Sequence, residues 1–128
     1  MELRVITKDD VLWRHLRKDH LKPDGTIAST AYMVNNQPDP QLSVDIADMT
    51  SFADARMYRD GHTGPGLGIG ELVAAVPFEL GFPAVHNPIL DRNPPYLAHS
   101  LILGGPELPE ARKLARATCL RLHPLVPL

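Results

Sequence analysis

The sequence predicts an α+β fold in one domain, with a mixed or antiparallel sheet of about four to five short strands plus an N-terminal and a C-terminal helix. Three observations lead there. Strand-like and helix-like stretches interleave along the chain. The polar, turn-rich link "NNQPDPQ" at 35–41 separates two strand candidates in the manner of an antiparallel hairpin. Thirteen prolines, about twice the ordinary share, keep the elements short.

Taken in order, "ELRVIT" at 2–7 is short, β-branched and apolar, and reads as a strand. Thr7 then caps a helix over 8–20, with Asp9 and Asp10 at its positive end and Val11, Leu12 and Leu16 facing the core. Pro23-Asp24-Gly25 turns the chain, and 26–34 alternates as a strand: Ile27, Ser29, Ala31 and Met33 on one face, Ala28, Thr30, Tyr32 and Val34 on the other. Its hairpin partner is 42–47, with Leu42, Val44 and Ile46 opposite Ser43 and Asp45. A short helix capped by Thr50 or Ser51 follows. "HTGPGLGIG" at 62–70 holds four of the nine glycines and reads as a loop, a candidate lid over a pocket. Beyond it, 71–76 and 83–88 read as strands, 97–105 as a central strand, and 108–122 as a closing helix with Pro109 at its start. The apolar tail "HPLVPL" is suited to docking on the body.

Composition narrows the function classes. At 128 residues the chain has the length of one domain and can bury a sizeable core. Thirteen basic against fifteen acidic residues give no global electrostatic case for nucleic acid or an anionic membrane. One cysteine, Cys119, excludes an internal disulfide framework and a Cys-rich zinc site, and its helical surroundings suit a small buried hydrophobe. No apolar run approaches the ~20 residues of a membrane span. The expectation is a cytoplasmic protein with no cofactor and no membrane contact.

Six histidines raise the question of a metal. His15 and His20, five apart on the expected helix, would lie about 140° apart around its axis, off the i, i+4 spacing that helical ligand pairs use. No metal site is expected. The glycines at 64, 66, 68 and 70 give neither a P-loop nor a dinucleotide fingerprint. A hydroxyl–imidazole–carboxylate set can be assembled from Ser29 or Ser43, His20 or His99, and Asp45, provided the fold brings a base within hydrogen-bond reach of the hydroxyl.

The order and spacing of residues in "DHLKPDGTIASTAY", "LSVDIADMT" and "NPPYLAHSLILG" resemble a family of small bacterial proteins with no assigned activity. That family shows a His before a Leu-x-Pro-Asp-Gly turn, a Ser-x-Ala-Phe/Tyr strand, a Leu-Ser-Val-Asp strand and a late Asn-Pro…His segment. The matching positions are His20, Leu21, Pro23, Asp24, Gly25, Ser29, Ala31, Tyr32, Leu42 to Asp45, Asn93, Pro94 and His99. Arg17-Lys18 stands where the family often has His-Pro, and the Asn-Pro to His interval is longer. The resemblance implies a bacterial source and marks positions rather than a reaction.

Three functions follow as expectations. The first is an accessory or interaction protein working through a larger bacterial protein, motivated by proline-rich loops and an apolar tail, with self-association open. The second is a small-pocket hydrolase or transferase using His20, Ser29, Asp45 and His99. The third is weak nucleic-acid binding through Arg14, Arg17, Lys18 and Lys22, against which the overall charge argues.

Overall fold

The computed structural model describes residues 2–33, 40–63 and 68–122. In chain order they form β1 (Val11–Leu16), β2 (Gln41–Ile46), α1 (Phe52–Thr63), β3 (Gly68–Val73), α2 (Ala75–Glu79), β4 (Ala84–His86), β5 (His99–Leu103), α3 (Leu108–Arg116) and β6 (Cys119–Leu122). Short 3-10 turns occupy Lys18–His20, Ser29–Tyr32 and Ala47–Met49. The strands make one six-stranded sheet in the order β4-β5-β2-β1-β3-β6, and every neighbouring pair is antiparallel. The α+β class therefore holds, with six strands rather than four or five.

Two expected elements change character. Residues 11–16 are a central strand, not a helix. Leu12 and Leu16 are four apart, a spacing that satisfies both the helical period and the strand alternation, so periodicity does not separate the two. Thr7 does not cap a helix either: Asp10 Oδ2 accepts the Thr7 N–H at 2.8 Å and Asp10 N–H reaches Thr7 O at 3.1 Å, closing a turn that launches β1. The preceding residues 2–7 are not a strand.

The stretch 26–33 is not a strand. Pro23-Asp24-Gly25 does turn the chain: Gly25 sits at φ +87°, and Asp24 Oδ1 accepts the Thr26 N–H and hydroxyl. Ile27 then makes a single bridge to Leu21, and Ser29–Tyr32 coils into a 3-10 turn. β2 accordingly pairs with β1 and β5 instead of a hairpin partner from 26–34. At the chain's other end, α3 stops at Arg116 and residues 119–122 join the sheet, so Cys119 is exposed rather than buried. The short helix after Thr50 forms with Ser51 as its cap, whose Oγ accepts the Asp54 N–H at 3.0 Å. Of the glycine-rich stretch, 68–70 belong to β3; the lid expectation at 64–67 and the docking of "HPLVPL" fall outside the described residues.

Strand alternation gives the sheet two unlike faces. The inner face carries Leu12, Leu16, Leu42, Val44, Ile46, Leu72 and Ile102, which cluster with Ile27, Ala31 and Tyr32 of the turn region and Ala111 and Leu114 of α3. Tyr32, wholly buried, holds this layer together: its hydroxyl meets Thr118 Oγ1 at 2.7 Å, and Thr118 donates on to Leu114 O at 2.7 Å. Gly70 leaves the space, since a Cβ there would lie 2.7 Å from Thr118 Cγ2. The outer face carries Trp13, His15, Ser43, Asp45, Glu71 and His99. α1 leans on it through Phe52, edge-on to Trp13 with ring centroids 6.1 Å apart.

Burial pushes the Tyr32 phenol up to about 12 from its ordinary 10.0, against the opposing hydrogen bond to Thr118. Between those values the unfolded tyrosine ionises while the folded one does not, so stability falls as pH rises from about 10 to 12. Tyr32→Phe should lose roughly 1 kcal/mol at pH 7 with the hydrogen bond and show a shallower alkaline decline, as read by urea unfolding at several pH values. An unchanged decline in the variant would reject the assignment.

Candidate functional site

The outer face brings polar groups together where β1, β2 and β5 run side by side. Trp13, Asp45 and His99 occupy one cross-strand row, and Ser43 lies on the same face two residues before Asp45. A loop between β4 and β5, residues 87–98, folds over this row and contributes Tyr96 and the Asn87 carbonyl.

Asp45 is 1% exposed, and a carboxylate removed from water must be paired. Its Oδ2 accepts Tyr96 O–H at 2.7 Å and His15 Nε2–H at 2.8 Å. Thr50 Oγ1 lies 3.3 Å from the same tyrosine hydroxyl. Burial, then the Asp45 charge, pushes the Tyr96 phenol well above its ordinary range. Tyr96 stacks on Tyr58 of α1 at 4.3 Å and 9° between planes, and the Arg92 guanidinium lies 4.7 Å over the Tyr58 ring. These rings, with Pro94 and Pro95, line a cleft of ≈ 540 Å³.

Beside that buried knot stands a second arrangement open to solvent. The His99 Nδ1 lies 2.7 Å from Asn87 O, and its Nε2 lies 3.3 Å from Ser43 Oγ. A carbonyl oxygen can only accept, so Nδ1 carries the proton and a neutral His99 turns the lone pair of Nε2 toward the Ser43 hydroxyl. Ser43 is exposed, and its backbone is held by pairing with Leu101 of β5 and by the Arg14 guanidinium, which donates to the Ser43 carbonyl.

The four residues His20, Ser29, Asp45 and His99 therefore do not meet as one constellation. Asp45 and His99 share the outer face. Ser29 begins the 3-10 turn that packs on α3 against the inner face, because 26–33 never enters the sheet. His20 is buried in the turn before it, where Nδ1 accepts Arg17 N–H at 3.1 Å and its carbonyl accepts Ala28 N–H. Of the alternatives open in the sequence, Ser43 with His99 is the pair the fold assembles. Tyr96, His15 and the Asn87 carbonyl were not foreseen. His15 would have been visible had residues 11–16 been taken as a strand, since it alternates with Trp13.

The basic residues 14–22 do not make a patch. Arg14 points inward, donating Nε to Ala31 O at 2.9 Å and Nη1 to Ser43 O at 2.8 Å. Arg17 pairs with Asp19 at 3.0 Å. Only Lys18 and Lys22 of the four remain exposed and outside such contacts. Among the described residues no group of three His, Cys, Asp or Glu is placed to hold a metal, and no helix is long and apolar enough to cross a membrane. No family model, curated protein or solved structure matches the chain.

The Asp45 charge should be measurable at its partner. In Asp45→Asn, the Tyr96 phenol should titrate at lower pH than in the parent while staying above 10, because burial remains. Stability should drop by about 1–3 kcal/mol as Tyr96 and His15 both lose their charged acceptor. Tyrosine ring NMR across alkaline pH reads the first effect and urea unfolding the second; an unmoved Tyr96 would refute the coupling.

Proposed function

We propose that the chain is a small hydrolase or acyl-transfer enzyme in which Ser43 is the nucleophile and His99 its general base. One observation carries this reading: the Asn87 carbonyl fixes the His99 tautomer that aims a lone pair at the Ser43 hydroxyl. In the reaction, Nε2 takes the Ser43 proton as Oγ bonds to an ester carbonyl carbon. The same nitrogen protonates the departing alcohol, and water then releases the acyl group by the reverse sequence. Asp45 pairs with His99 across the strands but its carboxylate is hydrogen-bonded elsewhere; it holds His15 and, through Tyr96, the loop that delivers the Asn87 carbonyl. Two of the three segments that carry the family resemblance, 42–45 and 93–99, meet at this place, which supports treating it as the working site, while the third, 20–32, packs on the other side of the sheet.

A serine-directed fluorophosphonate should form an adduct on Ser43, located by peptide mass. Ser43→Ala should abolish that adduct, and His99→Gln should slow its formation about 100-fold or more, within the usual range for a general base. Labelling of Ser43→Ala at the parent rate would sink the reading.

A second reading, the accessory protein bound to a larger bacterial partner, is favoured by Met57, 70% exposed on the rim of the aromatic cleft, and by Leu90, 59% exposed in the covering loop. Such a partner should co-purify at native expression with the parent and with Ser43→Ala but not with Met57→Glu. Equal recovery with all three would count against the cleft as the contact.

A further inference from the structure

A second concave site lies on the other side of the sheet from Ser43. The 22–29 loop and the C-terminal half of α3 enclose a cavity of ≈ 740 Å³, within the size range of small-molecule sites. Lys22, Arg112 and Arg116 line it, and no carboxylate does. Arg112 and Arg116 are i and i+4 on α3, so both guanidinium groups project from the same helix face. Neither has an ion pair or side-chain hydrogen bond among the described residues, and neither does the Ser29 hydroxyl, half-buried in the same wall. Arg4, Arg14, Arg17 and Arg121, by contrast, each donate to an acceptor within the protein, so two guanidinium groups and a hydroxyl that meet at one cavity without such a partner among the described residues are available to a ligand.

The competing groups nearby are already occupied. Asp24, outside the lining, is bound by the hydroxyl and N–H of Thr26 and its charge acts on Lys22 rather than on the two arginines. The Thr118 hydroxyl is spent on Leu114 O and Tyr32. The last carbonyls of α3, which would repel an anion, accept from Ala117 N–H, Thr118 N–H and Thr118 O–H. Below the cationic rim the floor is apolar, formed by Ile27, Ala115 and Leu120. Rim and floor together ask for an anion with a small apolar body.

We infer that this cavity binds a small organic phosphomonoester, its phosphate held by Arg112, Arg116 and the Ser29 hydroxyl and its organic group resting on Ile27, Ala115 and Leu120. Two guanidinium groups on one helix face suit a dianionic oxygen triad better than a carboxylate, which one fork would satisfy. A concave site of three cations in a chain of formal charge −2 also differs from the extended basic stripe that a nucleic-acid backbone requires. The inference does not depend on Ser43 chemistry.

The test is an amide-resolved NMR titration of the full chain with phenyl phosphate and, separately, with inorganic phosphate at low salt. Expected are shifts confined to residues 22–29 and 112–120, with phenyl phosphate binding about 3–10-fold tighter than phosphate because of the apolar floor. Arg112→Gln/Arg116→Gln should weaken phenyl phosphate by about 10-fold or more. Ser29→Ala should weaken it by a smaller factor, and Ser43→Ala should leave it unchanged. Both arginines are exposed, so the variant should keep the parent spectrum elsewhere. Equal affinity for the two probes would remove the organic-group assignment. Shifts outside the cavity, undiminished binding by the double variant, or tighter binding of a short DNA duplex through the same residues would each overturn the proposal.

Discussion

Asp45 is the constraint around which the outer half of the molecule is arranged. A carboxylate in the middle of a sheet, nearly out of contact with water, is tolerable only if strong donors reach it. The donors come from two directions: His15 from the neighbouring strand and Tyr96 from the loop before β5. Satisfying Asp45 thus fixes a loop that has little regular structure of its own. Once Tyr96 is anchored it offers a face for Tyr58 of α1, and Arg92 closes over the stack. The helix is held to the sheet at its first residue by Phe52 on Trp13 and near its middle by Tyr58 on Tyr96.

The loop's anchoring also decides the chemistry beside it. Asn87 and His99 lie at opposite ends of the covering segment, and Asn87 N–H and His99 O bind each other at 2.9 Å. The Asn87 carbonyl is therefore placed by backbone pairing and needs no side chain to hold it. A carbonyl orients an imidazole as firmly as a carboxylate would, but it carries only a dipole and stabilises the imidazolium less. The nearest full negative charge, Asp45, is already shared between two donors. On this ground the acyl transfer proposed for the Ser43–His99 pair would suit reactive acyl groups with good leaving alcohols, where little imidazolium stabilisation is required, better than amides.

How much of this was legible in the sequence depended on whether a local signal had one meaning. The Pro23-Asp24-Gly25 turn, the Ser51 cap and the alternation of Leu42, Val44 and Ile46 each have one physical reading, and each stands in the fold. Leu12 and Leu16 have two readings, and only pairing on both sides decides for the strand. Ile27 to Met33 alternates like a strand, yet Ala31 and Tyr32 are both wholly buried, and a 3-10 turn puts two adjacent residues in the core where a strand would bury one. A strand there would also have brought Ser29 toward Asp45 and His99, whereas the 3-10 turn puts it on the other side of the sheet. Leu120 and Cys119 continued the helical pattern of α3, but the open edge of β3 captured them. The site was legible only as an inventory of residue types. A backbone carbonyl that sets a tautomer has no sequence signature, and Tyr96 looked like one more residue of a proline-rich loop.

Arg14 links the two halves of the molecule. Its backbone lies in the central strand, yet its guanidinium reaches the Ala31 carbonyl of the 3-10 turn and the Ser43 carbonyl of β2. The turn that supplies Ser29 to the basic cavity and the strand that supplies Ser43 to the outer face therefore share one donor. A shared rigid donor does not by itself transmit a signal, because coupling requires an element with two arrangements that each site prefers differently. Arg14 sits in the central strand with Gly70 opposite it on β3, and the two carbonyls it reaches belong to the turn and to β2. The sheet is accordingly a partition more than a relay. Each face carries its own polar groups, and the hydrogen-bonded ladder with its apolar inner layer stands between them.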